Sequence, residues 1–170
     1  MNRKRIFALA FAVLMVLSLA ACGGDKTPQN DNDQPGGTAQ SVDLKKAAED
    51  AIASIDSEDV ILLPEENQET IESLYPGLTA VATKQLVVYL PPVAGNACEL
   101  VMAEAASPAD AETVRSILQN RVDSAANDTV YPDNAEGWKN GAVVTVNGNY
   151  VVMAVLPSGV EMPAAFKAQF

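Results

Sequence analysis

The stretch of sequence that decides the fold is Val143-Val144-Thr145-Val146-Asn147-Gly148-Asn149-Tyr150-Val151-Val152-Met153-Ala154-Val155-Leu156. Two apolar runs, 143–146 and 150–156, lie on either side of Asn147-Gly148. Asn-Gly between apolar runs is the strongest short hairpin signal, because a type I′ turn needs positive φ at both central residues. The stretch therefore predicts two antiparallel strands joined by a tight turn.

Further strands and helices are predicted on the N-terminal side of this hairpin. Apolar runs at 81–90 and 98–105 are typical of two more strands. Ser107, Pro108 and Asp110 form a capping pattern for a helix that should end near Ala126-Asn127. Apolar periodicity and helix start and stop signals predict other helices at 43–54, 64–74 and 163–169, the second beginning at Pro64.

The order of these elements favours one fold class. Short connections between consecutive strands favour antiparallel pairing, and only one long helix is available for a crossover. We therefore expect an α+β domain at residues 41–170, with a small antiparallel sheet of about four strands and helices packed on one face.

The N-terminus has the pattern of a secretory signal. Arg3, Lys4 and Arg5 precede an apolar run that ends in Leu19-Ala20-Ala21, and Cys22 follows directly. Small residues before a cysteine resemble the lipobox of bacterial lipoproteins, in which the thiol is lipidated and the chain is cut before it. The run at 6–21 is shorter than the about 20 residues that a spanning helix needs. A plain signal peptide is the alternative interpretation.

The segment after this cysteine contains Gly, Pro, Asn, Asp, Gln and Thr and hardly any apolar side chain. Such a composition cannot offset the entropy cost of ordering. The predicted organisation is therefore a signal peptide at 1–21, a lipidated Cys22 with a disordered tether at 22–40, and one domain at 41–170. The expected location is the outer face of the cell membrane, with the lipid as the contact to the membrane.

Charge and composition exclude several classes of function. The chain has a net charge of −11, so phosphate repulsion argues against nucleic-acid binding. It contains no histidine, which excludes Ser-His and Cys-His catalysis and histidine metal ligands. No sequence motif for a cofactor or a metal is present, and we expect neither. Cys98 lies in an apolar stretch and is expected to be a buried, structural thiol.

An aromatic and amide-rich region around the final hairpin is the one candidate for ligand binding. Flat rings together with amides are frequent in ligand sites. The alternative is that Trp138, which is expected in a polar loop, covers the hydrophobic core. The candidate binding residues are Tyr131, Trp138, Asn149 and Tyr150.

Glu99 and Glu104 are the acidic residues of the second predicted strand. Because side chains alternate along a strand, residues five positions apart point to opposite faces. These two carboxylates are therefore not expected to form a catalytic pair.

An ordered set of short segments resembles an uncharacterised domain family that is found in lipoproteins of Gram-positive bacteria. The resemblance covers the region from about Asp43 to Phe170, and no single segment is diagnostic. It implies an extracytoplasmic location and a one-domain α+β body, and it carries no catalytic residues over. The segments are Tyr75-Pro76-Gly77-Leu78, the run 83–89, Cys98-Glu99-Leu100, the helix 110–114 with Arg121, Tyr131-Pro132, Glu136-Gly137-Trp138-Lys139-Asn140 and the run 147–151.

Two functional hypotheses follow from these features. The first is a lipid-anchored, non-enzymatic module that binds an envelope protein or a small ligand. The second is a hydrolase of cell-wall or glycan substrates that uses carboxylates alone. A pair of facing carboxyl groups in a cleft would favour the second hypothesis.

Overall fold

The computed structural model describes residues 42–93, 96–157, 159–164 and 170. The predicted signal peptide at 1–21, Cys22, the tether at 22–40 and most of the helix predicted at 163–169 lie outside the described residues. Within the described part, four helices and a five-stranded antiparallel sheet form the domain. The predicted α+β class is confirmed, with five strands instead of about four.

The sheet is built around one fully buried strand. The strands are β1 Leu63–Pro64, β2 Thr83–Leu90, β3 Glu99–Ala105, β4 Val143–Asn147 and β5 Tyr150–Val155. Their order across the sheet is β1-β2-β3-β5-β4, and all neighbours are antiparallel. Every residue of the central strand β3 is buried, so both faces of the sheet must be covered at this position.

The predicted hairpin is confirmed, but its turn lies one residue later than expected. Asn147 is the last residue of β4 and pairs with Tyr150, so the two turn residues are Gly148 and Asn149. Gly148 has a φ of 59°. Glycine adopts this left-handed conformation without a steric penalty, which explains its place at the first turn position.

The helices are α1 Leu44–Ala53, α2 Gln68–Leu74, α3 Pro108–Ala126 and α4 Pro132–Gly141. The start of α3 follows the predicted capping, and α1 has a cap of the same kind that was not predicted. The carboxylate of Asp43 accepts a hydrogen bond from the N–H of Lys46 at 3.0 Å, and Ser107 Oγ accepts one from the N–H of Asp110 at 3.2 Å. These bonds satisfy amide groups that have no partner inside a helix.

Two sequence expectations about helices are wrong. Pro64 does not begin a helix but pairs with Tyr89 in the edge strand β1, a position where proline is tolerated. The helix α2 begins after Asn67, whose side-chain oxygen accepts hydrogen bonds from the next amides. Trp138 is not in a loop but in α4, where Pro132 occupies the first turn and Lys139 the last.

Helices cover both faces of the sheet, whereas one covered face was expected. The helices α2, α3 and α4 pack on the face that contains Val101, Val151 and Met153. The helix α1 packs on the opposite face, against Leu100 and Met102. The correction follows from β3, because a strand that is apolar at consecutive positions buries both of its sides.

No helix in the described part of the chain is long and apolar enough to cross a bilayer.

Candidate functional site

The central strand β3 carries one buried glutamate on each face of the sheet. Glu99 is 4% exposed and Glu104 is 6% exposed. Glu99 contacts Tyr75 and Arg121 on the α3 side, while Glu104 contacts Gln85 on the α1 side. The predicted alternation is confirmed, and the two carboxylates do not face each other.

Glu99 is the centre of a buried polar cluster. The hydroxyl of Tyr75 donates to Glu99 Oε2, and Arg121 donates from Nη2 to Oε1 and from Nε to Oε2, the last at 3.2 Å. The carboxylate therefore binds the side edge of the guanidinium group, which Nε and Nη2 form. This two-point geometry is the strong form of the arginine–carboxylate pair.

Trp138 completes this group, which we call the Glu99 cluster: Tyr75, Glu99, Arg121 and Trp138. The guanidinium carbon of Arg121 lies 4.9 Å from the centre of the Trp138 ring and 6.0 Å from that of Tyr75. A guanidinium ion over an aromatic face is attracted by the ring quadrupole. The cluster thus joins the end of α2, strand β3 and helices α3 and α4 around one cation.

The surroundings keep both partners of Glu99 protonated. Burial, and then the neighbouring Glu99 carboxylate, raise the pKa of Tyr75. Burial alone would lower the pKa of Arg121, but the hydrogen bonds and charge of Glu99 outweigh it and raise the pKa. Tyr75 therefore acts as a hydrogen-bond donor and not as a base, and Arg121 remains a cation of fixed position.

Arg121 also lines a surface groove of about 320 Å³ between the end of α2 and helix α3. On α3, Ile117 and Ser124 lie four and three positions from Arg121, which places these three residues on one helical face. We call this the arginine groove, and its described lining residues are Ser73, Leu74, Pro76, Ile117, Asn120, Arg121 and Ser124.

Glu104 belongs to a second network, which holds the start of α1 on the sheet. The side-chain amide of Gln85 donates to Glu104 Oε2 and to the carbonyl of Val42, both at 2.8 Å, and its oxygen accepts from the N–H of Leu44 at 3.0 Å. Lys84 donates to the other oxygen of Glu104 and, with Gln85, lowers the pKa of that carboxyl. This network fixes the start of α1 to the sheet, and both oxygens of the Glu104 carboxylate accept hydrogen bonds within it.

The structure does not bring the predicted ligand-binding residues together. Trp138 is 1% exposed within the α3 side of the core, so neither of its ring faces is open. Tyr150 lies on the opposite face of the sheet, where its hydroxyl accepts a hydrogen bond from the N–H of Val42 at 3.3 Å. Tyr131 is 57% exposed at the start of α4, and the carbonyl of Asn149 accepts from the N–H of Ala105.

The arrangement of Trp138 matches the alternative that was considered from the sequence, a ring that covers the core. Sequence reasoning identified the segments that hold Tyr75, Glu99, Arg121 and Trp138, but not their meeting in space. Alternation along β3 could not reveal which helix would supply the partner of Glu99. The one available signal was that all four residues lie in segments of the resembling family.

Two larger cavities lie near the end of β5, and Leu156 lines both of them. A cavity of about 680 Å³ is lined by carboxylates and amides, among them Asp59, Asp133, Glu136 and Glu161. Asn134 also lines it, and its side-chain oxygen is buried with no hydrogen-bond partner among the described residues. The other cavity, of about 450 Å³, is mainly apolar and lies over β4 and β5.

The described residues contain no group of three or more acidic or cysteine side chains placed to hold a metal ion. Cys98 is 1% exposed, which confirms that it is buried. Burial, and then the charge of Glu99, raise the pKa of its thiol to about 11. A thiol in this state is protonated at neutral pH and is a poor nucleophile.

Comparison with known protein families matches residues 45–156 to the domain of unknown function DUF4358. The match covers α1 through the last strand, β5. The chain belongs to this family. The whole Glu99 cluster and the arginine groove lie within the DUF4358 region. No curated protein and no solved structure gives a significant match to the chain.

Proposed function

We propose that this DUF4358 protein is a lipid-anchored lipoprotein of a Gram-positive bacterium, and that its domain is a non-enzymatic binding module on the outer face of the cell membrane. The observation that carries the proposal is Leu19-Ala20-Ala21-Cys22 after a basic and apolar segment. Two acyl chains on Cys22 would give durable anchoring, because one chain binds a bilayer only marginally.

The charge of the chain supports attachment by lipid and not by surface adsorption. Removal of Arg3, Lys4 and Arg5 with the signal peptide leaves eight basic against 22 acidic residues, a net charge of −14. Anionic headgroups would repel such a domain. Gln85 and Tyr150 hold Val42 on the sheet, so the domain offers a fixed point of attachment to the segment that precedes it.

Fatty-acid labelling in the native host tests the anchor. The chain has two cysteines, Cys22 and Cys98, which supply a matched pair of variants. The full-length protein should incorporate an alkyne-tagged fatty acid, Cys22→Ala should abolish incorporation, and Cys98→Ala should leave it intact. A native protein whose mass shows an unmodified Cys22 thiol would refute the proposal.

The engagement of the buried carboxylates supports a binding role over a catalytic one. Glu99 is paired with Arg121, and Glu104 with Lys84, on opposite faces of β3. Neither can act with the other as the acid and base of a hydrolase, because such pairs lie about 5–9.5 Å apart across a substrate. The arginine groove, which is lined by hydrogen-bond donors, is the better-equipped site for recognition.

One observation favours the second candidate, a carboxylate-dependent hydrolase. Asp133 and Glu136 both line the cavity of about 680 Å³, which is wide enough for a saccharide. Purified protein should then release soluble fragments from cell-wall polymer, and Asp133→Asn and Glu136→Gln should each abolish the release. Glu112→Gln on exposed α3 is the control. Equal release by all variants, or none by the unmodified protein, would exclude this candidate.

A further inference from the structure

The pairing of Arg121 leaves part of its guanidinium group unused. Arginine has five N–H donors. Glu99 accepts hydrogen bonds from the single N–H of Nε and from one N–H of Nη2, which together form the side edge of the group. The described hydrogen bonds of Arg121 come from Nε and Nη2 and none comes from Nη1, while the side chain as a whole is 22% exposed. The end edge, formed by Nη1 and the second N–H of Nη2, is therefore available to an acceptor.

The geometry of this end edge selects a class of ligand. Two parallel N–H groups in one plane match the two oxygens of a carboxylate. Glu99 and the rings of Trp138 and Tyr75 fix the plane of the guanidinium group, so little side-chain entropy remains to be lost when a ligand binds. Arg121 is thus prepared for a second carboxylate in addition to Glu99.

The rest of the arginine groove fits the same ligand. Ser73, Asn120 and Ser124, which carry hydroxyl or amide groups, line the groove and are exposed. No acidic side chain is among the seven described lining residues, although the chain as a whole is strongly acidic. Leu74, Pro76 and Ile117 supply apolar contact beside these donors.

We propose that the arginine groove binds a small ligand through a free carboxylate, which is held by the end edge of Arg121 and by Asn120 and Ser124. This inference names the ligand class for the binding module proposed above and rests on that role. Glu99 neutralises much of the charge of Arg121, so the contact to the carboxylate alone should be weak, with a Kd on the order of 1–10 mM.

Acetate, with neutral acetamide as its matched control, is the simplest probe. In titrations followed by NMR, acetate should shift the Arg121 side-chain signals and the backbone amides of 120–124 to saturation, and acetamide should not. Arg121→Lys, which keeps the charge but lacks the two-point edge, should lose the saturable response. A linear response, or equal responses to acetate and acetamide, would overturn the proposal.

Variants that leave the Glu99 pair untouched separate binding from folding. Ser124→Asp places a carboxylate in the groove and should weaken acetate binding about tenfold, or ~1.4 kcal/mol. Ser116→Asp, on the exposed face of the same helix, should change it little. Equal acetate affinities in Ser124→Asp and the unmodified protein would refute the site. Fatty-acid labelling of Cys22 is independent of these results, so the proposed lipid anchor would still hold if the groove did not bind acetate.

Discussion

Replacement of Arg121 by methionine should destabilise the domain far more than any exposed charge would. The variant keeps most of the side-chain volume but leaves Glu99, which is 4% exposed, with the Tyr75 hydroxyl as its one hydrogen-bond partner in the described part of the chain. Removal of one member of a buried ion pair costs about 3–5 kcal/mol. Because the Arg121 side chain is itself 22% exposed, we expect the lower end, about 3 kcal/mol.

This loss is large relative to the stability of a small domain, which is about 5–15 kcal/mol in total. It should lower the Tm by roughly 10 °C. The double variant Glu99→Leu with Arg121→Met should lose less than Arg121→Met alone, because no unpaired charge remains in the core. The difference between the two variants isolates the cost of the lone carboxylate.

Urea unfolding followed by far-UV circular dichroism measures these losses. Trp138 is the only tryptophan and is buried, so its fluorescence provides a second probe of the same transition. Arg115→Met is the control, since Arg115 lies on the same helix and pairs with Glu112 at the surface. The reasoning is refuted if Arg121→Met loses no more stability than Arg115→Met, or if the double variant is the less stable of the two.

The remaining predictions concern other buried positions. Trp138→Ala should cost about 3–5 kcal/mol in urea unfolding, and a negligible loss would contradict its place in the core. Cys98 should react slowly with a thiol reagent in the folded protein and quickly in urea. Because folding raises its pKa from the ordinary 9.0 to about 11, the contribution of this thiol to stability should be complete below pH 9 and be lost as the pH rises towards 11. Cys98→Ala should remove that part of the alkaline loss, and an unchanged pH profile would contradict it. Gly137→Ala should destabilise by about 1–3 kcal/mol, because a Cβ at this position would lie 2.7 Å from that of Ala97. A gain in stability from the higher helix propensity of alanine would show that this contact relaxes easily.

Local signals in the sequence were sufficient for the elements that are defined by their own residues. The cap of Ser107 and Asp110 and the end of α3 near Ala126-Asn127 need no distant partner, and the structure confirms both. The prediction of where α2 begins was wrong because two local rules applied to the same residue. Pro64 fits a first helical turn, but it also fits an edge strand, and its pairing with Tyr89 decided the outcome.

The candidate site could not be predicted in the same way, because it consists of contacts between distant segments. Tyr75 and Arg121 reach Glu99 from positions 24 and 22 residues away. Nothing in the spacing of these residues along the chain encodes that meeting, which depends on α3 packing over β3. The alternation of β3 did predict that Glu99 and Glu104 would face apart. It could not predict that each carboxylate would be buried beside its own cation. Because Glu99 is paired with Arg121, its role is to hold the position of Arg121, which lines the arginine groove.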